Sequence, residues 1–157
     1  VKAAVQQHNL DEKLYAPKQL RYQISDLKNS MIDAYTYAHK HVGNDYKAEK
    51  LALVYDAYEA IMAKHNAMDF DDLLMLTVKL LQQQPEVLER YHGHFHHILV
   101  DEFQDTNVLQ YRWLKLLAGG EGRAPGGFRL SAPGEAPGDD EACSIFAVGD
   151  DDQSIYA

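Results

Sequence analysis

Two adjacent carboxylates, Asp101 and Glu102, close the apolar run Ile98-Leu99-Val100 and open the polar string Phe103-Gln104-Asp105-Thr106-Asn107. The run is continuously apolar and partly β-branched, which predicts a parallel strand covered on both faces. Ligands of open α/β sheets bind at the carboxyl ends of such strands, where this acid pair falls. Paired carboxylates there divide the work of nucleotide hydrolysis: one holds Mg²⁺ directly or through water, and its neighbour orients or deprotonates the attacking water. The plainer alternative is a strand followed by a solvated acidic turn.

A second acidic string has the same grammar. Ser144-Ile145-Phe146-Ala147-Val148 is a short apolar run that opens into Gly149-Asp150-Asp151-Asp152-Gln153-Ser154-Ile155-Tyr156. Other side chains offer weaker chemistry. His92, His94, His96 and His97 crowd the approach to the first strand, a composition compatible with Zn²⁺ or Ni²⁺ but more simply explained by solvated side chains, since no Cys is near. Tyr35, Tyr37, Tyr46, Tyr55 and Tyr58 lie in the first half. Stacking on bases is one use for them, and helix packing with the hydroxyl at the surface is the commoner one.

The elements that position these residues follow from periodicity. Pro17 suits a first helical position, and Leu20, Ile24, Leu27 and Met31 share one face, predicting a helix over 17–31. After the segment 35–41 and the pair Gly43-Asn44, a second helix is expected over 45–64 with Leu51, Val54, Tyr58 and Ile61 on one stripe and Asn66 as its stop. Asp69 is expected to cap a further helix, with Asp72 as its capping-box partner and Phe70, Leu73, Leu74, Leu76 and Leu80 lining it, ending before Pro85. A short helix follows over 85–91. Beyond the first strand, Asp105 or Thr106 is expected to cap a helix that packs Leu109, Trp113, Leu116 and Leu117 into the core. Strands are predicted at 97–101 and 144–148. Between that last helix and the second strand, residues 119–138 hold seven Gly and three Pro among twenty, so 119–142 is read as a surface insertion.

Composition sets outer bounds. A chain of 157 residues suits one domain or two subdomain pieces. Its single cysteine, Cys143, allows no internal disulfide and suits a reducing compartment. No apolar stretch is long enough to span a bilayer, and the first ten residues lack the order of a signal peptide, so the default expectation is a cytoplasmic protein without a membrane partner. The net charge of −9 is unevenly spread. Residues 1–65 hold nine Lys/Arg against eight Asp/Glu, whereas residues 66–157 hold six against sixteen. Acidity around the two strings favours Mg²⁺ and repels phosphate backbones unless other basic residues compensate.

Taken together, Asp101-Glu102-Phe103-Gln104-Asp105-Thr106-Asn107 and Val148-Gly149-Asp150-Asp151-Asp152-Gln153-Ser154-Ile155-Tyr156 resemble motifs II and III of the UvrD/Rep/PcrA family of superfamily 1 DNA helicases. Met68-Asp69-Phe70-Asp71-Asp72-Leu73-Leu74 resembles the segment that leads from the helical 1B subdomain into the 1A motor domain. The likeness is close over 68–117 and from Phe146 onward, and weaker but in register over 22–31. The resemblance implies an α/β fold: an all-helical 1B subdomain over 1–67, then a partial RecA-like parallel-sheet layer of 1A over 68–157. It implies an ATP-dependent motor moving 3′ to 5′ on single-stranded DNA and unwinding duplex, in repair or replication restart. Asp101 resembles the Mg²⁺-coordinating carboxylate and Glu102 the catalytic base. Gln153 resembles the glutamine that senses the γ-phosphate of ATP, and Tyr156 an aromatic that stacks on a base in the single-strand track. Gln104 and Asp105 are expected to couple motifs structurally.

The family's phosphate-binding Gly-x-x-x-x-Gly-Lys-Ser/Thr loop is missing, because no Gly-Lys pair occurs in the sequence. The chain is therefore read as a fragment, inactive alone, whose partners are DNA and the remaining helicase parts: the Walker A portion of 1A, and 2A and 2B. Two other readings stay open. One is a non-catalytic DNA-binding or protein-docking module of helices. The other is a metal-dependent phosphohydrolase built on Asp101, Glu102, Asp150, Asp151 and Asp152.

Overall fold

The computed structural model describes residues 1–41, 45–92, 94–119 and 143–150, and all the elements named lie among these. Seven helices and two strands follow in order: α1 (Lys2–Gln7), α2 (Pro17–Asn29), α3 (Ala34–His41), α4 (Tyr46–Lys64), α5 (Phe70–Gln83), α6 (Pro85–His92), β1 (His97–Val100), α7 (Val108–Leu117) and β2 (Ser144–Ala147), with a 3-10 turn over Phe103–Asp105 after β1. The chain is thus α/β, mostly helical with one small parallel sheet. It divides into two compact units, Val1–Met75 and Leu76–Ala157, with α5 contributing to both.

In the first unit α4 is the central helix, packed against α1, α2 and α3. Its Leu51, Val54, Tyr55 and Ala57 join Ala4 and Val5 of α1, Leu20 and Ile24 of α2, and Ala34 and Tyr37 of α3 in one core. The Tyr55 hydroxyl, carried into this core, donates to the Ile32 carbonyl at 3.2 Å, which satisfies a polar group that burial would otherwise penalise. Burial raises the Tyr55 pKa, with Lys28 opposing and nearby carboxylates reinforcing the shift.

Three helices of this unit stop in the same way. Asn9, Met31 and Asn66 have φ of 51°, 60° and 47°. At each, the next residue's N–H reaches back across the turn: Leu10 to Val5, Ile32 to Leu27, Ala67 to Met62. These are left-handed caps that satisfy final carbonyls. Asn66 therefore acts as the expected stop, whereas Met31 lies past the end of α2, which finishes at Asn29. The cap overrides the apolar spacing that had placed Met31 on the helix face.

A buried lysine joins α2, α4 and the start of α5. Lys28 Nζ is fully enclosed and lies 2.5 Å from Asp72, 2.9 Å from Asp69 and 2.8 Å from Glu59. The contact with Glu59 Oε1 is an ion pair without hydrogen-bond geometry. Asp69 and Asp72 form the expected capping box, each carboxylate accepting the other's N–H at 2.7 and 3.1 Å. Tyr58 donates to Asp69 at 2.6 Å while its ring lies 5.1 Å from the Lys28 ammonium, and Asn29 donates to Asp71 at 3.0 Å. Burial works against the Lys28 charge, but hydrogen bonds with Asp69 and Asp72 and the pull of Glu59 outweigh it and raise the lysine above its ordinary range. Burial likewise works against ionised Asp69, yet Lys28 and Tyr58 hold it below the usual carboxylate range. Glu59 moves the other way, raised by burial beyond what Lys28 offsets.

In α5 the stripe expected to line the core faces mostly outward, with only its Leu74 half-buried. Phe70 is 91% exposed, and Leu73, Leu76 and Leu80 are exposed with it, while Asp72, Met75, Val78 and Leu81 are buried. Both stripes recur at helical spacing, and the buried one begins with an aspartate whose charge Lys28 meets. In the second unit α6 packs on α7, and His92 Nε2 lies 2.7 Å from the Leu116 carbonyl, which also accepts the Gly119 N–H at 3.0 Å just past the end of α7. Asn107 caps α7 in a reciprocal box with Gln110, in place of Asp105 or Thr106, because Asp105 belongs to the 3-10 turn and Thr106 closes it, its N–H donating to the Phe103 carbonyl at 3.1 Å. Leu109, Leu116 and Leu117 are buried as expected, with Trp113 half-buried.

β1 and β2 pair in parallel, His97 with Ser144 through Val100 with Ala147. The expectation of a strand covered on both faces fails: Leu99 is 80% exposed and its register partner Phe146 57%. Alternate side chains of a strand leave by opposite faces, and among the described residues one face of this pair is left uncovered.

Candidate active site

The two candidate carboxylates sit where β1 ends. Asp101 and Glu102 are both exposed, and Asp101 Oδ1 accepts the Glu102 N–H at 3.0 Å. Glu102 itself is left-handed, φ 52° and ψ 42°, a backbone region that disfavours a residue with a β-carbon and is found at sites under functional constraint. That single residue breaks the strand and starts the 3-10 turn.

The end of β2 is sewn to this turn. Val148 N–H donates to the Val100 carbonyl at 2.8 Å, and Phe103 N–H donates to the Val148 carbonyl at 3.0 Å. Gln104 then spans the two segments with its amide. Nε2 donates to Glu102 Oε2 at 2.5 Å, and Oε1 accepts the Asp150 N–H at 3.1 Å. Gly149 fits under that amide because it has no side chain: a β-carbon there would stand 2.7 Å from Gln104 Oε1. The two acidic strings that sequence places far apart are thus adjacent, as far as Asp150.

An exposed aspartate at a strand end suits Mg²⁺, a hard cation that keeps several waters and takes one or two protein carboxylates plus substrate phosphates. Asp101 fits that donor set. Glu102 fits a base: its exposed carboxylate is fixed by a neutral amide donor. Gln153 and Tyr156, together with Asp151 and Asp152, lie outside the described residues, as does 120–142 of the expected insertion.

The remaining candidates separate. His94, His96 and His97 are exposed, His92 bonds a helix end, and among the described residues no group of three His, Cys, Asp or Glu side chains is placed to share a metal. Of the tyrosines, Tyr37 and Tyr55 are core and Tyr58 belongs to the lysine cluster. Tyr35 and Tyr46 face outward, Tyr35 with its ring 4.0 Å from that of His39 and Tyr46 beneath Lys50 at 4.8 Å. Lys28 is the residue that sequence reasoning missed. The available signal was a lysine four residues after Ile24, on the apolar stripe of α2.

The family model described as UvrD/REP helicase N-terminal domain matches residues 1–157. The ATP-dependent DNA helicase UvrD1 of Mycobacterium leprae is 42% identical over 153 residues, which are 97% of this chain and 18% of that protein. UvrD1 of Mycobacterium tuberculosis is 43% identical over 149 residues, 94% of this chain and 18% of its own length. The ATP-dependent DNA helicase PcrA of Staphylococcus aureus is 36% identical over 159 residues, 99% of this chain and again 18% of its own length. The chain therefore spans about a fifth of each of these relatives. Among the described residues no helix is long and apolar enough to cross a membrane.

Proposed function

This chain belongs to the UvrD/REP helicase family, and from that premise we propose that it forms part of an ATP-driven 3′ to 5′ DNA helicase acting in repair or replication restart, in the cytoplasm. Residues 1–67 are read as the helical 1B subdomain and residues 68–157 as the part of the RecA-like 1A motor that bears the hydrolytic edge. Its partners are single-stranded and duplex DNA, and the Walker A portion of 1A, 2A and 2B. The observation that carries the reading is the pair of exposed carboxylates at the carboxyl end of β1, tied through Gln104 to Asp150.

In this reading Asp101 would hold Mg²⁺, which would supply charge neutralisation to the ATP phosphates. Glu102 orients a water and accepts its proton as the water oxygen bonds to the γ-phosphorus. The bond from that phosphorus to the bridging oxygen breaks, and ADP leaves. Gln153 senses the γ-phosphate, and Tyr156 stacks on a base. In the full-length helicase that carries this segment, Glu102→Gln should keep ATP and DNA binding while lowering turnover by orders of magnitude, because the amide keeps the size but cannot take the proton. Wild-type unwinding by that variant would remove Glu102 from the chemistry.

A second reading, a DNA-binding or protein-docking module of helices, draws on the closed core of the first unit and on outward Tyr35 and Tyr46. It predicts binding to tailed DNA that survives loss of Glu102.

A further inference from the structure

Gln104 is half-buried between two partners of opposite hydrogen-bonding character. An ionised carboxylate only accepts and a backbone N–H only donates, so Nε2 toward Glu102 and Oε1 toward Asp150 is the one amide orientation that satisfies both. Turning the amide over would set oxygen against oxygen and N–H against N–H. Its backbone is pinned as well, since the 3-10 turn that carries it is bonded to Val148 through Phe103 N–H. Gly149 completes the arrangement: the space a β-carbon would need there is taken by Gln104 Oε1 at 2.7 Å.

We infer that Gln104 is a positioning residue that fixes the Glu102 carboxylate and couples its orientation to the 149–150 segment. The inference rests on the reading of Glu102 as the base. Without the amide, Glu102 stands exposed on a left-handed turn and its side chain is free to leave the geometry that proton transfer requires. With it, any shift of Gly149 and Asp150 is passed to the carboxylate through one rigid planar group. Gln104 itself touches no reacting atom, so its effect must run through Glu102.

The experiment is a set of double-mutant cycles in the full-length helicase carrying this segment, read as single-strand-stimulated ATP turnover with melting temperature measured alongside. Gln104→Ala is expected to lower kcat by about ten-fold or more while KM for ATP and single-strand affinity stay within about two-fold. In a Glu102→Gln background the same change should cost nothing further, because the group it positions is gone. Gln104→Glu keeps an oxygen for the Asp150 N–H but loses the donor to Glu102, so it should lower kcat at least as far as Gln104→Ala. Gly149→Ala should displace the amide and lower kcat when Gln104 is present, and add little when Gln104 is Ala.

Unchanged kcat in Gln104→Ala beside a crippled Glu102→Gln would overturn the positioning role and leave the catalytic reading standing. Additive losses in the cycles would make Gln104 a merely structural residue and overturn it too. Full turnover in Glu102→Gln would overturn both readings.

Discussion

Replacing Lys28 by Met tests whether the cluster joining α2, α4 and α5 is a buried electrostatic knot or a decorated surface. Methionine matches the length of the stem and removes the charge. Three carboxylates then face one another without a cation: Asp72, whose side chain is 5% exposed, Asp69 at 24% and Glu59 at 35%. Removing one partner of a buried pair costs about 3–5 kcal/mol. Most of that cost falls on Asp72 and Asp69, because Glu59 is open enough for solvent to screen it. Against a typical net stability of ~0.05–0.15 kcal/mol per residue, a loss of that size is a large part of what a unit of this length has to lose. The assay is urea unfolding followed by far-ultraviolet circular dichroism, with Lys28→Met/Asp72→Asn as the companion. That second change neutralises the most buried carboxylate and should restore part of the loss.

The pH dependence has a definite sign. Lys28 is raised in the folded state, so its stabilisation is fully present below the ordinary lysine range and is lost only as pH rises through the higher folded value. Asp69 is lowered, so its contribution is present above the ordinary aspartate range and disappears as pH falls through the depressed folded value. Glu59 is raised and opposes Asp69, since the folded state takes up its proton first as pH falls. The gap between wild type and Lys28→Met should therefore be flat from neutral pH to the start of lysine titration and should narrow as acid protonates the carboxylates. A loss below about 1 kcal/mol at neutral pH, the range of an exposed pair, would refute the reasoning.

The isolated 157-residue chain should hydrolyse ATP no faster than background, because its sequence has no Gly-Lys phosphate loop; DNA-stimulated turnover by the purified chain would contradict this. Tyr156→Ala in the full-length helicase should weaken single-strand binding by about 1–3 kcal/mol while Tyr156→Phe costs little, measured on oligo-dT at fixed salt. Asn107→Ala should destabilise by about 1 kcal/mol through loss of the α7 capping box, read as a lower urea midpoint with unchanged slope. Tyr55→Phe should cost about 1 kcal/mol by leaving the Ile32 carbonyl without its donor.

What the sequence made legible was what depends on neighbours a few residues apart. The Asp69/Asp72 box spans three residues, and Asn66 stops α4 by its own backbone preference. Both strands could be placed within a residue, as Ile98 to Val100 and Ile145 to Ala147 are short apolar runs bounded by polar residues. Reasoning failed where a partner is distant. Lys28 meets Asp69 and Asp72 across 41 and 44 residues, and a charged residue reads as solvated until its counterion is known. The same blindness inverted most of α5, where Phe70, Leu73, Leu76 and Leu80 were expected inside and the stripe that begins with Asp72 is the buried one. At the candidate site, Asp101 and Glu102 were recognisable by type and position, but the span from Gln104 to Asp150 crosses 46 residues. No local pattern announces it.

Glu102 occupies a backbone conformation that glycine adopts freely and other residues resist, by roughly 1–2 kcal/mol. A library of variants screened for heat resistance alone would consequently reward glycine at this codon and report it as an improvement, although the replacement discards the carboxylate. Consensus-style engineering of the segment needs an activity filter at this position above all others. Stabilising substitutions are safer at Met31, whose left-handed cap imposes a similar backbone cost and whose side chain has no part in the site.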